Sequence, residues 1–332
     1  MAGSGAQPAA PGGAHAIGIG DVRAAAARIA PFVVRTPTVA CEPLSARAGR
    51  AVHLKLESMQ RTGSFKFRGA TNAVRSIPEA DLARGVVTNS SGNHALALAV
   101  AAAARGMQAH VVMPANASPA KRAAVERAGA RVVTSGNLGA EREAMAAEVQ
   151  RATGATMVPP YDHPWTMAGQ GTIALELLEQ LPEAATLVVP VGGGGMVSGI
   201  AVAARALRPD VRVVGAEPEL AGDAAESRRT GTRAPQRPPV TIADGLRTAL
   251  GELTFPIVRD LVDDVALVSE EEIVAAMRFM FEEARLVAEP SAAVGIAAIL
   301  AGRAGGRTDR PLACVVCGGN VDLARLPWLS GG

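Results

Sequence analysis

Short runs of β-branched and aliphatic residues alternate with longer Ala-rich segments of helical period along most of the chain. Strands are predicted at 51–57 (AVHLKLE), 84–89 (RGVVTN), 107–114 (MQAHVVMP) and 130–136 (ARVVTSG). Three more follow at 186–192 (TLVVPVG), 211–218 (VRVVGAEP) and 311–319 (PLACVVCGG). Helices are predicted over 21–29 with Asp21 as N-cap, 94–106 ended by Gly106, 118–129, 140–154, 168–181, 194–209, 270–287 and 291–302. Such alternation predicts α/β architecture, with parallel sheets covered on both faces. The runs inside 85–158 form one compact sheet, and those at 186–192, 211–218 and 311–319 build another. The Pro/Arg-rich stretch at 227–240 reads as a solvated surface loop.

Composition narrows the class. With 48% hydrophobic and 19% charged residues, the chain has the balance of a folded protein rather than a disordered one. Only 3% is aromatic, so Ala, Val, Leu and Ile must fill the core. Thirty-three basic residues against 31 acidic ones are too balanced to argue for nucleic acid. Three cysteines make no disulfide framework, and Cys314 and Cys317 fall on opposite faces of a strand rather than in a zinc pair. No charge-free apolar run reaches membrane-spanning length. Residues 1–20 lack a basic start followed by an apolar run and read as a disordered lead-in, so a cytoplasmic protein is expected. Lysine is confined to Lys55, Lys66 and Lys121, which leaves few candidates for amine chemistry.

The clearest chemical signal is VVPVGGGGMVSGI. An apolar strand ends at Val191, Gly192, Gly193, Gly194 and Gly195 follow, and an apolar helix begins. Glycines let backbone N–H groups converge and the helix adds its dipole, which makes a phosphate seat; the plain alternative is a turn chosen for close packing. No Lys-Ser or Lys-Thr follows, so this is not a nucleotide phosphate loop, and it lacks the dinucleotide spacing. Polar segments also stand where strands meet helices at TGSFKFRGA, SSGNH and CGGN, where ligands of open α/β sheets sit. Lys66 lies between Phe65 and Phe67, where it is either a nucleophile of lowered pKa or a lysine reaching solvent past an apolar stem.

Taken in order, KLESMQRTGSFKFRGA, SSGNHA, AGQGTIALE, GGGGM, TIADGLR, EPSAA and CGGNVD resemble segments of the pyridoxal-phosphate enzymes of the serine/threonine dehydratase and serine racemase family. The resemblance covers nearly all of the chain after about residue 20. It implies the tryptophan-synthase-β-like fold (fold type II): two open parallel-sheet domains with the cofactor in the cleft. The large domain is then 21–84 and 159–332, and the small one 85–158. Lys66 is implied as the Schiff-base lysine, Phe65 as a residue beside the ring and Asn93 as the partner of the ring 3-oxygen. Gly192 to Gly195, with Met196, hold the phosphate, and Cys317 faces the pyridine nitrogen. Ser90, Ser91, Asn93 and His94 resemble the loop that clamps the substrate carboxylate, although His94 can equally be a cap or packing residue. Glu217, the carbonyl of Ala221 and Asp223 fall on the positions that hold Mg²⁺ or Ca²⁺ in racemase-like members; the plain reading is an acidic loop.

The resemblance implies dehydration of L-threonine or L-serine to a 2-oxo acid and ammonia. Ser91 falls where the racemase subgroup has its catalytic serine, so serine racemisation stays open. Tyr161, in PPYDHP, is closer to the aromatic of threonine dehydratases. Arg142 falls near the substrate entrance of some relatives and would favour 3-hydroxyaspartate, unless it is only a surface-helix arginine. A homodimer is implied, and a non-catalytic binding protein on the same fold is a remote alternative because both the lysine and the glycine loop are present. The catalytic motifs use essentially the whole chain, so no regulatory domain of the long threonine dehydratases is expected.

Overall fold

The computed structural model describes residues 15–236, 238, 240–306 and 309–328. Its strands are β1 (Thr38–Ala40), β2 (Val52–Leu56), β3 (Val86–Thr88), β4 (Ala109–Pro114), β5 (Arg131–Ser135), β6 (Thr156–Met157), β7 (Thr186–Pro190), β8 (Arg212–Pro218), β9 (Asp264–Val268) and β10 (Leu312–Val316). Its helices are α1 (Ile19–Ile29), α2 (Glu42–Ala48), α3 (Lys66–Ser76), α4 (Asn93–Ala103), α5 (Pro119–Arg127), α6 (Gly139–Thr153), α7 (Pro164–Gln180), α8 (Gly195–Leu207), α9 (Asp223–Thr230), α10 (Thr254–Leu261), α11 (Glu270–Glu282) and α12 (Pro290–Leu300).

The strands form a six-stranded sheet in the order β1-β2-β10-β7-β8-β9 and a four-stranded sheet in the order β5-β4-β3-β6. All pairings are parallel except β1 with β2, so the large sheet carries one antiparallel edge that the pattern did not predict. β7 and β10 are buried at every position, as continuous apolar runs covered on both faces should be. The core beside the small sheet also takes in Phe67, Ala70, Ala73, Val74 and Ile77 of the α3 region, although these precede residue 85.

Three helices fix the cleft between the sheets. α3 and α7 meet at backbone contact: a Cβ on Gly169 would stand 2.6 Å from the Cα of Gly69. α7 meets α8 in the same way, since a Cβ on Gly171 would be 2.8 Å from the carbonyl oxygen of Gly199. Only residues without a Cβ permit these crossings.

Several boundaries move. Asp21 is not the N-cap of α1; the helix starts at Ile19 after Gly18, and the Asp21 carboxylate accepts the Gly18 amide at 2.8 Å from the third helical position. The helix expected over 270–287 ends at Glu282, and Arg285 turns into the left-handed region at φ 58°. The first four residues of the expected 227–240 loop belong to α9, and 237 and 239 lie outside the described residues. Of the expected lead-in, residues 1–14 lie outside the described residues, while Ile17 is buried and Ile19 opens α1.

Candidate active site

The chemistry-bearing segments collect at the carboxyl ends of strands β2, β3, β7, β8 and β10. Lys66 opens α3. Its Nζ donates to the carbonyl of Pro160 at 2.7 Å and lies 5.0 Å from the centroid of the Phe65 ring. Burial pushes the amine down to about 8, with only partial opposition from Cys317 and Glu289. Cys317 is itself buried and its thiol is pushed well up by burial, so near neutral pH it stands beside Lys66 as an uncharged group. The two segments are tied together: the Phe65 amide donates to the Cys317 carbonyl at 3.0 Å, and Ser64 bridges Gly318.

The next residue after Pro160 connects the amine to the glycine loop. The Tyr161 ring lies on that loop so closely that a Cβ on Gly193 would come within 2.4 Å of it. Gly194, the N-cap of α8, has φ 85°, a left-handed conformation that suits glycine. The first amides of α8 have no intrahelical acceptor, so the loop presents N–H groups together with the positive end of the helix. Gly192 to Gly195 and Met196 are all buried. Burial and the nearby carboxylates Asp162, Glu143 and Asp223 raise the Tyr161 phenol, whose hydroxyl bonds with Thr248. The residue expected to meet substrate therefore sits at the anion seat.

The loop after β3 carries Ser90, Ser91, Asn93 and His94. Ser90 Oγ accepts the Gly92 amide at 3.4 Å, and Ser91 is half-buried. His94 Nε2 lies 2.9 Å from the Val158 carbonyl, so that nitrogen carries the proton in the neutral ring. Burial, aided by the charge on Lys66, pushes His94 down to about 3, which keeps it neutral. Asn93 Nδ2 donates to both oxygens of Glu289 at 2.8 and 3.1 Å, and its Oδ1 accepts from Asn320 at 2.9 Å. Glu289 is buried, and burial raises its carboxyl to about 7 against the hydrogen bond from Asn93. A Cβ on Gly318 would strike Glu289 at 2.4 Å, so CGGN wraps the carboxylate directly.

Glu289, Asn320, Pro160 and Thr248 were not singled out from the sequence. Glu289 and Asn320 stand in the motifs EPSAA and CGGNVD, and an acid directly before a Pro-started apolar helix was the available signal. Arg142, in the first turn of α6, donates to the Asn137 carbonyl at 3.0 Å. An ion pair between Lys121 on α5 and Asp244 joins the small-sheet side to the TIADGLR segment.

The acidic set lies at the end of β8. Glu217 is fully buried and accepts the amides of Ala224 and Ala225, each at 3.0 Å, while Asp223 accepts the Leu250 amide at 3.1 Å. Burial and the charge of Asp223 raise Glu217 well above the carboxylate range. Two carboxylates and the Ala221 carbonyl make a sparse donor set, and no group of three or more His, Cys, Asp or Glu suited to a metal occurs among the described residues.

A family model described as pyridoxal-phosphate dependent enzyme matches residues 29–318. The chain belongs to that family and is an enzyme of the α/β fold type II class. L-threo-3-hydroxyaspartate ammonia-lyase of Pseudomonas sp is 44% identical over 313 residues, 94% of this chain and 98% of the relative. The structure of maize serine racemase superposes with a TM-score of 0.91 at 43% identity, covering 94% of this chain and 96% of that one. The T.th. threonine deaminase superposes with a TM-score of 0.87 at 41% identity, covering 92% of this chain and 99% of that one. The residues fit the cofactor: an amine of lowered pKa is linked to a glycine-lined helix start through Pro160 and Tyr161, and to a buried thiol through the Phe65 amide on the Cys317 carbonyl. No described helix is long and apolar enough to cross a membrane.

Proposed function

We propose that the chain is an ammonia-lyase of small β-hydroxy amino acids, converting L-serine or L-threonine to a 2-oxo acid and ammonia. The observation that carries this is the single bridge Pro160–Tyr161. It holds the Lys66 amine at 2.7 Å on one side and packs the glycine loop on the other, so amine and anion seat are one unit. When bound, pyridoxal phosphate supplies the electron sink for charge developing at the substrate α-carbon. The chain's own groups do the rest. Amides of Gly192 to Gly195 would hold the phosphate, and Asn93 Nδ2 would hold the ring 3-oxygen in place of one of its two contacts with Glu289. The Cys317 thiol would face the pyridine nitrogen without adding charge. Lys66, its amine brought down to about 8, keeps a free-base fraction near neutral pH that accepts the α-proton, and the ammonium so formed returns a proton to the departing hydroxyl. The Ser90–His94 loop would bind the substrate carboxylate, and Ser91 is the candidate acid/base for the face opposite Lys66.

A second reading has support of its own. Arg142 is half-buried in the first turn of α6, with its Nη1 on the Asn137 carbonyl. Arg142 there could pair with the distal carboxylate of 3-hydroxyaspartate, as the relative's activity suggests. Serine racemisation through Ser91 is the third outcome to score. We further infer a divalent cation at Glu217, Ala221 and Asp223, a small domain over 85–158, a homodimer and a cytoplasmic setting. The test is 2-oxo acid release from L-threonine, L-serine and the 3-hydroxyaspartate isomers, with chiral analysis of residual serine. Lys66→Ala should lose more than ~10³-fold in kcat. Exclusive turnover of hydroxyaspartate, abolished in Arg142→Ala, would replace the first reading with the second. Absence of oxo acid from every substrate would remove both.

A further inference from the structure

Lys66 and Arg68 are two positions apart on α3, so their side chains leave the helix about 200° apart. Lys66 faces the cleft; Arg68 points the other way and is completely buried. Its guanidinium forks onto two carboxylates. Nε and Nη2 donate to Glu57 at 2.8 and 2.9 Å, and Nη1 and Nη2 donate to Glu176 at 2.7 and 2.8 Å. Nη1 also reaches Thr172 at 3.2 Å. Lys55, equally buried, completes the cluster through Glu176 at 2.7 Å and the Thr36 carbonyl at 2.7 Å. Two cations and two carboxylates thus tie α3 to β2, to the segment after it and to α7.

We propose that Arg68 is a positioning residue for the reaction: its double fork fixes the rotation and depth of α3, and so sets where the Lys66 amine stands relative to the glycine loop. A buried ion cluster is weak evidence for stability as such, because apolar residues of similar volume often serve as well. Geometry is what the forks add, since a planar guanidinium gripped on two edges resists rotation in a way that apolar contacts do not. The rest of α3 is built to the same end. Phe65, its N-cap, offers no side-chain cap, so the helix start is held from elsewhere. Gly69, one residue beyond Arg68, rests in backbone contact with α7 and donates its amide to Gln170 at 3.2 Å. α7 in turn touches α8, whose start is the glycine loop. Amine and anion seat are therefore spaced through α3, α7 and α8, with Arg68 locking the first of these.

The inference rests on Lys66 being the cofactor lysine. Holoenzyme of wild type, Arg68→Met, Arg68→Lys, Glu57→Gln and Lys66→Ala should be compared. Four readouts are needed: kcat, KM, cofactor retention on dialysis, and the pH midpoint of the bound cofactor's absorption band. Misplacing the amine should cut kcat of Arg68→Met by roughly 100-fold while KM changes by less than about threefold. The pH midpoint should also move and cofactor retention should weaken. Arg68→Lys keeps the charge without the forks and should recover only part of kcat. If Arg68→Met retains kcat within about threefold and an unmoved midpoint, with only a lower melting temperature, the role is structural and the proposal is overturned. Should Arg68→Met fail to fold, Glu57→Gln decides, because an unchanged kcat and midpoint there overturns it equally. Lys66→Ala separates the two failures: if it keeps both turnover and the absorption band, the reading of Lys66 falls, whereas a dead Lys66→Ala beside a wild-type-like Arg68→Met removes only the positioning role.

Discussion

Two groups of buried charge lie on opposite faces of α3, and burial acts on them differently. On the inner face Arg68, Glu57, Glu176 and Lys55 answer one another. Burial opposes the charge on Arg68, but Glu57 and Glu176 outweigh it and raise the guanidinium further. Glu176 ends below its ordinary range because hydrogen bonds from Arg68 and the charges of Arg68 and Lys55 together exceed the burial effect. Lys55 is the partial exception, pulled down by burial although Glu176 supports its charge. On the cleft face Lys66 falls to about 8, Glu289 rises to about 7, His94 falls to about 3 and the Cys317 thiol rises. Each moves towards its neutral form because no ion partner fully compensates. Burial is common to both groups, so pairing decides whether a cluster becomes scaffold or chemistry.

Unpairing the inner cluster should have the largest effect on stability. Glu176→Leu leaves Lys55 without its carboxylate and Arg68 with Glu57 alone, and should cost about 3–5 kcal/mol, lowering the melting temperature by on the order of 10 °C. A fall below about 2 °C would mean that the cluster is not interdependent. The cleft face should show its imbalance as pH dependence. Glu289 has a folded-state value of about 7 against 4.5 when free, so the folded chain holds an extra proton between them. Its stabilising contribution is therefore full below pH 4.5 and is lost as pH rises through 7, by up to roughly 3 kcal/mol. Glu289→Gln should flatten that slope in cofactor-stripped protein, and a slope equal to wild type would assign it to other groups. Gly193→Ala drives a Cβ into the Tyr161 ring and should cost about 1–3 kcal/mol along with cofactor affinity. Tyr161→Ala in the same chain should recover the stability but not the aromatic packing. At the small end, Lys121→Ala removes an ion pair whose partners are both more than a third exposed, and should change stability by no more than about 1 kcal/mol in a denaturant titration.

The contrast between the two faces also explains what the sequence revealed. Continuous apolar runs such as those of β7 and β10 were readable as strands because they are buried on both faces. The glycine loop was readable because four consecutive glycines between a strand and a helix have few structural uses. α3 was missed as a helix although Phe67, Ala70, Val74 and Ile77 recur at helical spacing, because the polar but buried Arg68, Thr71 and Asn72 beside them mask that period. β9 and α10 were missed for other reasons. β9 alternates exposed and buried positions at a sheet edge, and α10 is a short helix containing Pro256. Arg68 could not be ranked above 29 other arginines from the chain alone, because its partners Glu57 and Glu176 are 11 and 108 residues away. Glu289 was hidden likewise: its contacts with Asn93 and Gly318 exist only once β3, α12 and β10 end at one cleft.

With three lysines in the chain, one experiment reads the contrast directly. Cofactor-stripped protein is pulse-labelled with an amine-acylating reagent across a pH series, and labelling at Lys66, Lys55 and Lys121 is quantified by mass spectrometry. Lys66 should label with a midpoint near 8, while Lys55, fully enclosed in its ion cluster, should stay unlabelled until the chain unfolds. A Lys66 midpoint near the ordinary lysine value of 10.5 would contradict the account, because the cleft would then hold its amine as charged as any surface lysine.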